Sequence, residues 1–171
     1  NLVTGAGSSV GNALVDSPDV DGISFTGSTE IGTNLNIRGA ASLKKVQCEM
    51  GGKNAVIVLS DADLGKALEG IVQGAFGSTG QRCTATSRVI VEEPIYDEFM
   101  NRLIDRTSVL TVGDGMDPEV TIGPLASKSQ FDTVRRFIGI GTEEGADLIY
   151  GGNALTGEGF DDGYYVGPTI F

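Results

Sequence analysis

Short apolar runs alternate along this chain with longer segments of helical period, and glycine-bracketed turns separate them. That alternation confines the chain to an α/β fold with a largely parallel sheet. Asp21 to Phe25 reads as a strand, and Thr26-Gly27-Ser28-Thr29 turns it into a helix that runs to about Ala41. Lys44 to Met50 is a second strand, broken by Gly51-Gly52. Asn54 to Leu59 reads as a buried strand, and Ser60-Asp61-Ala62-Asp63 caps a helix through Ala75. Gly77 to Thr84 is a polar loop leading into a strand from Arg88 to Glu92. A helix follows Pro94, from Ile95 to Val109, and another spans Ser127 to Glu143. A strand at Asp147 to Tyr150, glycine-rich turns and an extended run from Tyr164 to Phe171 complete the pattern.

Composition narrows the chemistry. The 171 residues, 40% hydrophobic, suffice for an ordinary globular core. No apolar run approaches the ~20 residues a membrane span needs. The start, Asn-Leu-Val-Thr-Gly, has neither a basic leader nor an initiating Met, so the chain reads as soluble and as cut from something longer. There is no histidine, which removes Ser-His-Asp hydrolysis, Cys-His proteolysis and most zinc sites. No metal site is expected. Cys48 and Cys83 are too few for a disulfide framework and too far apart for a redox pair, which points to a reducing, cytoplasmic setting. A formal charge of -11 argues against nucleic-acid partners and leaves small molecules or other subunits. The acidic residues are scattered over many segments, which suits either a salt-rich cytoplasm or an ordinary acidic protein.

Three segments carry candidate chemistry, each open to a plainer reading. Phe25 to Gly32 has the form of a phosphate cradle at a helix start, or of a strand-to-helix turn with a Ser/Thr cap. The earlier Gly5-Ala6-Gly7-Ser8-Ser9-Val10-Gly11 lacks the dinucleotide spacing and reads by itself as a flexible loop. Glu49, at the carboxyl end of a strand, is either a partly buried general base or a surface glutamate. Cys83, in a polar loop beside Arg82, is either a reactive thiol or an inert loop cysteine; a helix starting after Thr84 would favour the thiolate.

Taken in order, Phe25-Thr26-Gly27-Ser28-Thr29-x-x-Gly32, Cys48-Glu49-Met50-Gly51-Gly52-Lys53-Asn54 and Phe76-Gly77-x-x-Gly80-Gln81-Arg82-Cys83-Thr84-Ala85-x-Ser87-Arg88 strongly resemble the aldehyde dehydrogenase superfamily. Ile122-Gly123-Pro124-Leu125 and Gly167-Pro168-Thr169-Ile170-Phe171 extend the likeness to the end. The resemblance implies the end of a Rossmann-like coenzyme domain over residues 1–51, followed by a parallel-sheet α/β catalytic domain over 52–171, incomplete at its C-terminal end. It implies NAD or NADP as cofactor, an aldehyde as the small-molecule substrate and a homo-oligomeric full-length enzyme. By family pattern the chain lacks upstream the oxyanion-hole Asn and the ribose-binding Lys and acidic residue, and downstream the Glu-x-Phe-Gly-Pro segment.

In that family's terms Cys83 is the nucleophile and Glu49 the base that activates the deacylating water. Gly27 and Ser28 approach the pyrophosphate, and Ile31 and Gly32 lie by the adenine. Gly7 and Gly11 line that pocket, Met50 and Gly51 flank the nicotinamide, and Gln130 reaches a cofactor ribose. Arg82 either holds a substrate carboxylate or braces the loop. The stretch Gly77 to Arg88 is most similar to members acting on 2-oxoglutarate semialdehyde, with succinate semialdehyde and other small polar aldehydes left open. The rival reading is a catalytically incomplete piece that folds or self-associates without activity.

Overall fold

Two strand–helix–strand segments each close on themselves as a parallel pair, because a helix between two strands carries the chain back to the end from which the first strand started. The computed structural model describes residues 1–171 and divides by internal packing into Asn1–Gly52 and Lys53–Phe171. No helix is long and apolar enough to cross a membrane.

In the first unit a π-helical turn over Gly7–Gly11 runs into α1 (Asn12–Asp16). The loop expected at Gly5 to Gly11 is therefore helical from Gly7 onward. Its support is tertiary rather than periodic: the Arg38 guanidinium donates to Asn12 Oδ1 at 2.7 Å and to Asp16 Oδ1 at 2.6 Å. Lys44 Nζ donates to the carbonyls of Val15 and Ser17 at 2.7 and 2.6 Å, placing a cation at the helix end where carbonyls are unpaired. β1 (Gly22–Gly27), α2 (Thr29–Ala41) and β2 (Lys45–Met50) follow, with β1 and β2 parallel from Gly22↔Lys45 to Gly27↔Met50. Leu35 and Gly39 of α2 are buried, and Gly39 has no room for a side chain: a Cβ there would lie 2.3 Å from Val46 Cγ2.

In the second unit β3 (Asn54–Val58), α3 (Leu64–Phe76) and β4 (Thr86–Val91) form the other parallel pair. α4 (Tyr96–Ser108) packs with α3, and α5 (Lys128–Glu143) lies beyond the connection that contains Pro124. The core is Val58, Leu68, Ile71, Phe99 and Leu103, with Val56, Val89 and Val91 against it. Strand alternation places the register partners Ile57 and Ile90 on the other face, 66% and 55% exposed. This corrects the expectation of a buried β3: the sheet has two strands, and helices cover one face only. The strand expected at Asp147 to Tyr150 reduces to one antiparallel bridge, Tyr150↔Ile170, and a second bridge joins Ala154 and Val166. Just past the strand ends, the Ser60 amide donates to Glu92 Oε2 at 2.6 Å. Hydrogen bonding from Ser60, through its side chain and its amide, holds the Glu92 carboxyl below its ordinary pKa.

Candidate functional site

The carboxyl ends of β1 and β2 lie side by side, with Thr26 opposite Glu49 and Gly27 opposite Met50. Alternation along β2 sends Cys48 and Met50 toward α2 and Glu49 to the opposite face. The Cys48 thiol is 3.6 Å from the Gly32 carbonyl and accepts from Asn36 Nδ2 at 3.3 Å. A Cβ on Gly32 would lie 2.5 Å from Met50 Sδ, so the absent side chain is where the methionine packs. Glu49 is exposed, so of its two readings the structure agrees with the surface position and not with partial burial.

At the start of α2 the Ser28 hydroxyl accepts from the Ile31 amide at 3.3 Å, so the capping reading of this turn holds. The phosphate-cradle reading is compatible with it, since the amides of Thr29 and Glu30 have no acceptor within the helix. A cavity of about 750 Å³ lies between α1, β1 and α2, and Gly7, Gly11 and Ile31 are all among its lining residues. Neither Gly7 nor Gly11 has a neighbour within 4 Å of a would-be Cβ, so both face open space. Gly51, after β2, faces open space likewise.

In the second unit Cys83 is exposed on the loop between α3 and β4. The loop begins with three consecutive residues in the left-handed region: Ser78 at φ 53°, Thr79 at φ 58° and Gly80 at φ 66°. The two non-glycine residues each cost on the order of 1–2 kcal/mol in that conformation, so other contacts must hold it. Thr79 Oγ1 donates to the Gly123 carbonyl at 3.1 Å. Gln81 Oε1 accepts from the Ala126 amide at 3.0 Å, and Gln81 Nε2 lies 3.4 Å from the Pro124 carbonyl.

Arg82 donates to the Gln73 carbonyl at 2.8 Å and reaches that of Gly74 at 3.4 Å, which makes it a brace at the end of α3. The helix that would have begun after Thr84 is absent; the next element is β4, so no helix N-terminus faces the thiol from that side. Beyond Cys83, Asn54 Nδ2 donates to the carbonyls of Cys83 and Ala85 at 2.7 and 3.1 Å. Nothing local in the sequence marks this role for Asn54, because its partners lie some thirty residues away and only the β3–β4 pairing brings them together. Gln130 is exposed in the first turn of α5, where its amide donates to the Ser127 cap at 3.2 Å.

The chain is thus an α/β protein with a strand–turn–helix unit that carries a glycine-lined cavity and a second unit that presents an exposed thiol on an anchored loop. The model of the aldehyde dehydrogenase family matches residues 1–171, and the chain belongs to that family. Among its relatives, alpha-ketoglutaric semialdehyde dehydrogenase of Bacillus subtilis is 48% identical over 171 residues, which are 100% of this chain and 35% of that protein. The 2,5-dioxopentanoate dehydrogenase of Saccharolobus solfataricus is 43% identical over 173 residues, again 100% of this chain and 35% of its own length. The crystal structure of betaine aldehyde dehydrogenase from Staphylococcus aureus in complex with NAD+ superposes with a TM-score of 0.93 at 33% identity, covering 98% of this chain and 33% of that one. The chain thus spans about a third of the length of the relatives it matches.

Proposed function

We propose that this chain supplies the nucleophile and the base of an NAD(P)-dependent aldehyde dehydrogenase, and that its substrate is 2-oxoglutarate semialdehyde. The observation that carries the reading is the exposed Cys83 thiol on a left-handed loop held by side-chain hydrogen bonds, in a chain of this family. The substrate rests on the stretch Gly77 to Arg88 and on the names of the two relatives above.

In this reading residues 1–51 contribute to the coenzyme domain and residues 52–171 to the catalytic domain. The cavity lined by Gly7, Gly11 and Ile31 would take the adenine end of the cofactor, and the open space beside the two glycines supports that reading. Gly27 and Ser28 would hold the pyrophosphate at the start of α2, with Gly32 nearby. Met50 and Gly51 would flank the nicotinamide, and Gln130 would reach a cofactor ribose. Bound NAD or NADP supplies the acceptor for the hydride that the reaction removes.

The Cys83 thiolate adds to the aldehyde carbon, and the carbonyl oxygen takes up negative charge that the Cys83 backbone N–H would help stabilise. Once that carbon is oxidised to a thioester, Glu49 takes a proton from water, the water oxygen adds to the acyl carbon and the carbon–sulfur bond breaks to release the acid.

The test is aldehyde-dependent NAD(P)H formation by this chain and by any longer protein that carries it, each beside its Cys83→Ala form. Activity lost with Cys83→Ala supports the reading, and activity retained would sink it. Glu49→Gln should still form one equivalent of NAD(P)H rapidly and then turn over on the order of a hundredfold more slowly; unchanged steady-state turnover would remove Glu49 from the deacylation step.

A second reading, a chain that folds or self-associates without activity, is favoured by the two two-stranded sheets. Strands at both edges of each sheet lack a further partner, and Ile57 and Ile90 are exposed. Turnover by the longer protein together with none by this chain would be its signature.

A further inference from the structure

The loop that carries Cys83 is strained at its start and anchored on both sides by amide side chains, one belonging to the loop and reaching outward, the other reaching in from β3. Upstream, Gln81 uses its oxygen to accept from Ala126 N–H at 3.0 Å. Downstream, Asn54 uses its nitrogen to donate to the Cys83 and Ala85 carbonyls at 2.7 and 3.1 Å. The second contact falls on the peptide group of the thiol residue itself. Rotation of that peptide would redirect both the thiol and the backbone donors around it, and Asn54 opposes that rotation with a two-pronged grip. The Asn54 carbonyl in turn accepts from Ser87 Oγ at 3.2 Å, and the Lys53 carbonyl accepts from Arg88 at 2.6 Å, so the grip is rooted in the pairing of β3 with β4.

We propose that Asn54 and Gln81 are positioning residues for the Cys83 nucleophile, an inference that rests on the reading of Cys83 as the thiol that attacks the aldehyde. The two amides act with opposite polarity. Asn54 contributes donors only, so replacing its NH₂ by a carboxylate oxygen sets that oxygen against two carbonyls. Gln81 contributes an acceptor at 3.0 Å, which a carboxylate preserves, and a longer donor contact of 3.4 Å to the Pro124 carbonyl, which a carboxylate gives up at smaller cost.

A pair of near-isosteric substitutions in the intact protein carrying this chain reads that difference. Asn54→Asp should lower kcat by about tenfold or more with KM changed less than about twofold, while Gln81→Glu keeps kcat within about threefold of wild type. A role in packing alone would not separate two amide-to-acid changes of equal size.

Full kcat in Asn54→Asp, or equal losses in both variants, would overturn the proposal while leaving Cys83 as nucleophile. Full activity in a parallel Cys83→Ala protein would instead remove the nucleophile, and the positioning role with it. Should Asn54→Asp fail to fold, the comparison moves to the other anchor. There Gln81→Leu, which keeps bulk but neither bond, should lose about tenfold in kcat against Gln81→Glu, and equal kcat in the two would refute the assignment.

Discussion

Two residues sit in positions their chemistry does not favour, and both make measurable claims. Thr107 is fully buried on α4 and its hydroxyl has no hydrogen-bond partner. An unsatisfied buried polar group costs about 1–3 kcal/mol, so the near-isosteric Thr107→Val should stabilise the chain by about 1 kcal/mol in urea unfolding. A loss of stability would mean that the hydroxyl is paired in solution. Leu43, which ends the α2 turn at φ 59° and is 94% exposed, occupies the place where helices usually put glycine. Leu43→Gly removes the steric cost and no packing, and should raise stability by about 0.5–1 kcal/mol. At this scale the loop placement of Cys83 is legible from its polar glycine-flanked setting, although those residues alone leave its reactivity open, and nothing local marks Asn54 or Leu43. Asn54 acquires its role from distant partners, and leucine carries no sign of a left-handed backbone.

The elements most legible in advance are those whose period or caps are local. Ser28, Asp63 and Ser127 each cap the helix that follows by accepting an amide three residues on, as their residue types suggest. The stretch Gly7 to Asp16 was not legible, because glycine and serine give no apolar period and its hold comes from Arg38 and Lys44. The exposed face of β3 is hidden from the sequence for a similar reason: an apolar run states what a strand could bury, not whether a neighbour is there to cover it. The closing link between the two strands of the second unit is titratable. Glu92 has a lowered pKa in the folded chain, so its bonds to Ser60 add stability above the ordinary glutamate pKa, and that increment fades as pH falls through the folded value. Glu92→Gln should therefore lower stability near neutrality, match the wild type at acid pH where the carboxyl is protonated in both, and so flatten part of the acid limb of a stability-against-pH curve. An unchanged acid limb would show that the Ser60 contact does not persist in solution.

For the molecule as a whole, a formal charge of -11 with no histidine means that self-repulsion outweighs the few surface ion pairs. The four salt bridges, such as Arg102–Glu98 at 3.0 Å and Lys128–Asp132 at 2.6 Å, are all solvent-accessible and each worth little. Raising salt from about 0.1 M to about 1 M shortens the screening length from roughly 10 Å to roughly 3 Å, so the melting midpoint should rise. A fall would assign the ion pairs more weight than the repulsion. The left-handed run from Ser78 to Gly80 bears on the chain at this scale too. A right-handed helix absorbs an inserted residue by turning a further 100°, but a turn of the opposite hand pinned at both ends has no such freedom. One residue added or removed between Phe76 and Cys83 would aim the thiol elsewhere, whereas the exposed loops around Asp114–Glu119 and Gly157–Asp162 should accept changes of length without moving it. The spacing along this one segment is thus a ruler, and the rest of the surface is free to drift in length around it.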